Sequence, residues 1–93
     1  MRIYVNREDA RLGYSSPNYC PAARALRRKT KQPGVNVSPL FTSLLDHDGS
    51  ETTLANSEKL TSAIKEFDRG ECFPAGYYYL WEVHRKSPLR EQK

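Results

Sequence analysis

The sequence predicts an α+β fold, in which a small antiparallel sheet of four to five strands carries two helices packed on one face. Three segments support this prediction. An Ala-rich stretch that starts at Pro21 and an amphipathic stretch over residues 57–69 have the composition and spacing of helices. The run over residues 77–83 contains three tyrosines and a tryptophan, which is the composition of a strand.

The first helix is predicted to begin at Cys20-Pro21 and to stop before Pro33-Gly34. Proline suits the first helical position, because its φ is already fixed and its missing N–H would have had no partner there. The second helix starts at Asn56 or Ser57 and ends at Gly70, which takes the position after the C-cap. Its apolar residues fall four and three positions apart on one face: Leu60, Ile64 and Phe67.

The opening residues predict a short strand followed by one helical turn. Side chains alternate over Arg2–Val5, and Asn6 is placed to cap the turn that follows. Gly13 is expected to end this turn with a positive φ. Further strands are predicted over residues 35–37, 40–45 and 52–54, with a hairpin turn at Asp48-Gly49.

Length and composition predict one cytoplasmic domain. A chain of 93 residues buries too little surface for two cores, so residues 1–85 form the domain and residues 86–93 a flexible polar tail. Mean hydropathy is −0.78, and no apolar run reaches the about 18–20 residues of a membrane span. The first residues also lack the apolar core of a signal peptide, and two cysteines are few for a secreted domain of this size.

Two motifs resemble a group of small uncharacterised tailed-bacteriophage proteins. The first is Cys20-Pro21-Ala22-Ala23-Arg24-Ala25-Leu26, which fits Cys-Pro-x-Ala-x-Ala-Leu, and the second is Phe67-Asp68-Arg69-Gly70, which fits Phe-Asp-x-Gly. Tyr4-Val5, Glu8-Asp9 and Gly13 precede the first motif in the order that the group shows. The resemblance implies a phage origin and a small accessory role in an infected host cell.

Cations concentrate at one end of the chain. Residues 1–31 hold eight Arg or Lys against two acids, whereas residues 32–93 hold seven against nine. Arg24, Arg27 and Arg28 share one stripe of the first helix, and guanidinium groups form paired hydrogen bonds with phosphates. The alternatives are a solvated helix face, a nucleic-acid surface and a surface for an acidic protein.

We therefore hypothesise a non-enzymatic counter-defence protein that sequesters a phosphate-bearing nucleotide-type host immune signal. Loop residues would supply hydrogen-bond donors and aromatic rings beside the cationic helix. A pocket in so small a chain usually forms between protomers, which predicts a homodimer or larger assembly. The alternatives are an inhibitor that blocks a host nuclease or polymerase complex, and a basic nucleic-acid-binding protein. The candidate ligand-binding residues are Tyr14, Ser16, Asn18, Tyr19, Cys20, Arg24, Arg27 and Arg28.

Neither catalysis nor a cofactor is predicted. A helix N-terminus stabilises a thiolate, so Cys20 is a conceivable nucleophile, but no local motif links it to His47 or His84 as a base. These three residues and Cys72 have the right types for zinc, yet their spacing contains no paired ligand motif.

Two features leave alternatives open. Strand geometry places Tyr77, Tyr79, Trp81 and Val83 on one face. This face either stacks on bases, forms a self-association or protein interface, or is covered by the loop over residues 14–19. Asp68 lies in the last turn of a helix, where the dipole disfavours its charge. We expect a partner for it among the backbone N–H groups of the next loop, Arg69 or the arginines of the first helix.

Overall fold

A computed structural model describes residues 1–86 and shows an α+β fold with one five-stranded antiparallel sheet. The strands lie in the order β1-β5-β4-β3-β2, so β5 lies between β1 and β4. The elements are β1 Arg2–Val5, α1 Arg7–Leu12, α2 Pro21–Thr30, β2 Gly34–Val37, β3 Phe41–Leu45, β4 Glu51–Asn56, α3 Glu58–Asp68 and β5 Gly76–Lys86. The predicted fold class is confirmed. Of the predicted tail, Lys86 ends β5, and residues 87–93 lie outside the described residues.

The core lies between one face of the sheet and the helices α2 and α3. Helix α2 contacts β1 and β2, and α3 contacts β4 and β5. The buried side of α2 consists mainly of small side chains, Ala22, Ala23 and Ala25, beside Pro21 and Leu26. The largest fully buried apolar side chains are Tyr78, Ile3, Leu26, Leu60 and Leu80.

The other face of the sheet is open. The register pairs Tyr4 with Tyr77, and both Phe41 and Trp81 with Ala55, so aromatic side chains adjoin across the strands. The loop over residues 14–19 does not cover this face. It is bound instead to β2, because the Val37 N–H donates to the Pro17 carbonyl oxygen at 2.8 Å. Of the two alternatives from the sequence, the structure has the exposed aromatic face.

A β-bulge in β5 interrupts the predicted alternation at Val83. Leu54 of β4 pairs with Glu82, whereas the preceding Thr53 pairs with His84, so Val83 is the extra residue. A bulge of this kind inserts one residue without a partner and changes which side chains face each side beyond it. The open aromatic row along β5 therefore consists of Tyr77, Tyr79 and Trp81.

Gly13 ends α1, but the predicted positive φ is wrong. Its φ is −69° and its ψ is 152°, which any residue adopts. A β-carbon at this position would lie 2.6 Å from the Pro21 nitrogen. Glycine is required here because the end of α1 passes directly against the start of α2, a packing constraint that local sequence does not reveal. Gly70, the glycine that follows the C-terminal end of α3, does have a positive φ of 96°.

Candidate ligand site on helix α2

The loop before α2 holds two tyrosine rings against each other. The Tyr14 N–H donates to the Tyr19 carbonyl oxygen at 3.1 Å, which brings the two residues together across the loop. Their rings are stacked, with centroids 5.5 Å apart and planes inclined by 18°. Both rings remain more than half exposed. The pair therefore forms a small aromatic platform beside the N-terminal end of α2.

Arg27 lies next to this platform. Its guanidinium carbon is 5.3 Å from the centroid of the Tyr19 ring, which is within the range of a cation–π contact. The contact fixes the direction of the side chain while leaving its N–H groups available for other acceptors. A planar ligand with a phosphate would find a stacking surface on the tyrosines and, within the length of one side chain, a guanidinium that donates hydrogen bonds to the phosphate.

The other two arginines of the predicted stripe bind a buried carboxylate, Asp9. Arg28 donates to both carboxylate oxygens, at 2.9 and 2.7 Å, and the Arg24 Nε donates to one of them at 3.4 Å. Arg28 also donates to the Tyr4 carbonyl oxygen at 2.9 Å, which ties α2 to β1. Asp9 itself is fully buried. We call Asp9, Arg24 and Arg28 the carboxylate clamp.

Asn6 positions the Asp9 carboxylate of the clamp through local hydrogen bonds. The Asn6 side chain accepts from the Asp9 N–H at 2.7 Å, and the Asp9 carboxylate accepts from the Asn6 N–H at 3.1 Å, which is a capping box for α1. Burial alone would raise the pKa of Asp9. Hydrogen bonds from Arg28 and Asn6, with the charges of Arg28 and Arg24, outweigh burial and lower that pKa. The carboxylate is therefore charged at neutral pH.

A depression of about 250 Å³ on α2 is lined by Asp9, Arg24, Arg27 and Arg28. Three cations against one carboxylate leave its rim positive. Arg24 and Arg28 each expose part of their side chains, 34% and 47%, so they are held in place by Asp9 but still reach solvent. The clamp orients two of the predicted ligand residues and neutralises part of their charge.

The remaining candidate residues serve the loop instead. The Asn18 side chain donates to the Val35 carbonyl oxygen at 2.7 Å, and the Ser16 hydroxyl accepts from the Asn18 N–H at 3.3 Å. Cys20 is buried and lines a separate depression of about 150 Å³ that also contains Ser16. Ring contacts thus join Tyr14, Tyr19 and Arg27, and one depression joins Arg27 to Arg24 and Arg28. Ser16 and Cys20 line a different depression, and the Asn18 side chain bonds to β2.

The Cys20 thiol lacks the properties of an activated nucleophile. It is the N-cap of α2, yet its side chain makes no capping hydrogen bond. Burial raises the pKa of Cys20 and outweighs the opposing effect of the backbone N–H groups of Ala22 and Ala23. The thiol is therefore the dominant form at neutral pH.

Asp68 finds a different partner from those expected. The Ser15 hydroxyl donates to its carboxylate at 2.8 Å. This bond joins the C-terminal end of α3 to the loop before α2. A serine hydroxyl offsets the unfavourable position of the carboxylate without a full countercharge.

Sequence reasoning missed a second cationic depression, at the β1 edge of the sheet. It has a volume of about 260 Å³, and the Arg2 guanidinium carbon lies 4.4 Å from the centroid of the Tyr77 ring within it. Period-two alternation places Arg2 and Tyr4 on one face of β1, but no local signal shows that β1 pairs with β5. The other charged and aromatic residues that line it are Tyr4, Arg28 and Lys29.

Residues 1–86 contain no group of three or more His, Cys, Asp or Glu side chains arranged to hold a metal ion. Within the same range, no helix has the length and apolar character needed to cross a membrane. Comparison with known proteins returns no matching family model, no matching curated protein and no matching solved structure. The resemblance to phage proteins therefore stays a prediction.

Proposed function

We propose that this protein is a non-enzymatic binding protein that sequesters a phosphate-bearing, nucleotide-type ligand on α2. The observation that supports the proposal is the position of Arg27 on the Tyr14–Tyr19 platform, beside the depression over Asp9. We call these tyrosines and the three arginines Arg24, Arg27 and Arg28 the α2 site. It offers stacking and phosphate recognition side by side.

The division of labour within the site follows from its contacts. The stacked tyrosines present flat, exposed rings for a base, a contact that all bases make through their π faces. Arg27 supplies a guanidinium that no carboxylate among the described residues engages. Arg24 and Arg28 are oriented in advance by Asp9, so less side-chain freedom is lost when a ligand binds. The single Asp9 carboxylate balances only one of the three arginine charges, and a bound phosphate would balance the rest.

The biological setting that we propose is counter-defence in the cytoplasm of an infected bacterium. It rests on the resemblance of Cys20–Leu26 and Phe67–Gly70 to motifs of small phage proteins. Sequestration requires affinity rather than turnover, which suits a surface built from arginines and tyrosines. The protonated, buried Cys20 thiol gives this surface no nucleophile.

A thermal-shift screen against mono-, di- and cyclic nucleotides, repeated at two salt concentrations, tests the proposal. A ligand at 100 times its dissociation constant adds about 2.7 kcal/mol to the free energy of unfolding, which raises Tm by roughly 11–22 °C for a domain of this size. We expect Arg27→Ala to weaken binding at least tenfold with its own Tm unchanged. Arg69→Ala removes an exposed cation from the end of α3 and serves as the matched control.

A screen in which no nucleotide raises Tm would overturn the proposal and favour the alternative of a host protein partner. Equal affinity of wild type and Arg27→Ala would place the ligand elsewhere. Arg28→Ala is unsuitable for this test, because Arg28 belongs to the carboxylate clamp and its loss destabilises the fold.

Single-stranded nucleic acid is a second candidate, favoured by the depression at the β1 edge. Arg2, Arg28 and Lys29 surround the rings of Tyr4 and Tyr77 there, so phosphates and bases have adjacent partners. The two candidates differ in salt dependence, since affinity for a polyanion falls steeply with salt through counterion release. An oligonucleotide whose affinity changes little with salt would exclude this candidate.

A further inference from the structure

The open face of the sheet carries a continuous aromatic surface. Its large members are each about half exposed: Tyr4 49%, Tyr77 48%, Tyr79 49%, Trp81 56% and Phe41 50%. The Tyr4 and Tyr77 rings contact each other, with centroids 4.9 Å apart. Trp81 and Phe41 flank Ala55 on neighbouring strands. We call these five aromatic residues and the strands beneath them the open face.

The centre of the open face, around Phe41, Ala55 and Trp81, consists of uncharged side chains, and its charges lie towards the two ends. Register places Glu51 opposite Lys86, so these two charges compensate each other across neighbouring strands. Arg2 lies at the margin, on the edge strand β1, and is directed onto the Tyr77 ring. Arg28 and Lys29 of α2 also reach this margin, where they line the depression that contains Tyr4 and Tyr77. Aromatic enrichment with few charges is typical of the core of a protein interface.

The area of the open face is at the upper end of the range for exposed apolar patches on monomers. A fully buried aromatic side chain removes about 150–250 Å² from water, so five half-exposed ones present roughly 400–600 Å². Single patches on monomeric proteins reach about 300–600 Å², and a standard interface buries about 800 Å² per partner. Leu45, which is also exposed and lies on the same side of β3 as Phe41, extends the apolar surface at the far end of the sheet.

We propose that the open face is the interface of a homodimer, in which two sheets pack face to face. The uncharged centre of the open face, around Trp81, meets its own copy without like-charge repulsion, whereas the cationic α2 surface would repel its copy in this basic protein. The low charge around Trp81 also disfavours nucleic acid there, in contrast to the cationic depression at the β1 edge. The two sheets would lie about 10 Å apart, the spacing of a β-sandwich.

Trp81 makes the proposal testable, because it is the chain's single tryptophan and lies within the open face. Sedimentation velocity of the full chain should give twice the 10.7 kDa chain mass at high concentration. Its tryptophan emission should shift to shorter wavelength with the same concentration dependence, because dimerisation removes Trp81 from water. We expect Trp81→Glu to be monomeric at every concentration with an unchanged far-ultraviolet circular dichroism spectrum.

Leu12→Glu is the matched control. Leu12 is an exposed apolar residue on α1, which packs against α2, and the variant should dimerise like wild type. A wild-type chain that stays monomeric up to millimolar concentration overturns the proposal, as does a Trp81→Glu variant that still dimerises. A monomer whose tryptophan emission is quenched by a single-stranded oligonucleotide would instead assign the face to nucleic acid. Because Trp81 is outside the α2 site, either result leaves the nucleotide proposal to its own test.

Discussion

The covered and open faces of the sheet give three consecutive tyrosines opposite environments. Tyr78 is 1% exposed beneath α3, where Lys59 lies 4.8 Å from its ring centroid and Phe73 packs edge-on at 5.4 Å. Tyr77 and Tyr79 project from the other face and remain half exposed. The side-chain type is the same in all three, so the alternation of the strand and the position of the helices decide what each ring does.

The same contrast separates two neighbouring arginines of α2. Arg28 binds the buried Asp9 and ties α2 to β1, whereas Arg27 lies on an exposed tyrosine ring. Residues on the covered side stabilise the fold, and their equivalents on exposed surfaces are available for binding. Substitution of each residue of the pairs Tyr78/Tyr79 and Arg28/Arg27 therefore tests which surface contributes to the free energy of unfolding and which contributes to binding.

The largest expected effect is that of Tyr78→Ala, which removes a ring from the core. Truncation of a large buried aromatic residue costs about 3–5 kcal/mol through lost burial and the cavity that remains. Tyr79→Ala removes an equal ring from the open face and should change the free energy of unfolding by less than about 0.5 kcal/mol. Urea denaturation at a concentration that keeps the chain monomeric gives both values. Equal losses in the two variants would mean that Tyr79 is buried within the monomer.

Arg28→Ala is expected to destabilise the fold by about 2 kcal/mol, because Asp9 loses its two shortest cationic hydrogen bonds. The value lies below that for a fully buried ion pair, since Arg28 is half exposed and Arg24 remains near the carboxylate. Arg27→Ala should be neutral in the same urea titration. If both arginine variants unfold at the wild-type midpoint, the carboxylate clamp contributes nothing to stability.

The clamp also predicts acid sensitivity. The pKa of Asp9 is lower in the folded chain than its ordinary value of 3.8, so the unfolded chain takes up this proton first as pH falls. The stabilisation is complete above the unfolded pKa and is lost as pH falls below 3.8 towards the folded pKa. Urea midpoints at pH 7, 4 and 3 should therefore decrease more in wild type than in Asp9→Asn. Parallel decreases in both chains would show that other carboxylates cause the acid sensitivity.

The helices were predictable because their limits are encoded locally. Pro21 at the first position and the cap before Leu60 define two starts that the structure reproduces: α2 begins at Pro21, and the Ser57 hydroxyl accepts from the Leu60 N–H at 3.3 Å. The strand content of the aromatic run is equally local. Such features depend on neighbours within one turn or one strand, so a single sequence contains them.

The candidate site was predictable only in part, because its main contacts join distant residues. Arg28 meets Asp9 across 19 positions, and Ser15 meets Asp68 across 53. No periodicity marks such pairs. The sequence placed Asn6 as the cap of α1, but it indicated neither that Asp9 completes a capping box nor that α2 binds the other side of the carboxylate. The exposure of the open face likewise depends on where the loop over residues 14–19 lies.

The smallest expected effect isolates one hydroxyl on each face. The Tyr78 hydroxyl donates to the Pro74 carbonyl oxygen at 2.6 Å, and burial raises the pKa of Tyr78, so the group keeps its proton as a donor. Tyr78→Phe should cost about 1 kcal/mol, because it leaves the Pro74 carbonyl without this donor.

Tyr79→Phe removes a hydroxyl from the open face and should leave the urea midpoint unchanged while the chain is monomeric. The comparison is stricter than truncation to alanine, since both rings stay and only hydrogen bonding changes. If Tyr78→Phe is as stable as wild type, the ring rather than its hydroxyl holds the loop before β5 in place. If Tyr79→Phe alone is destabilised, its hydroxyl has a partner in solution. Concentration dependence of that loss would then identify the partner as a second copy across the open face.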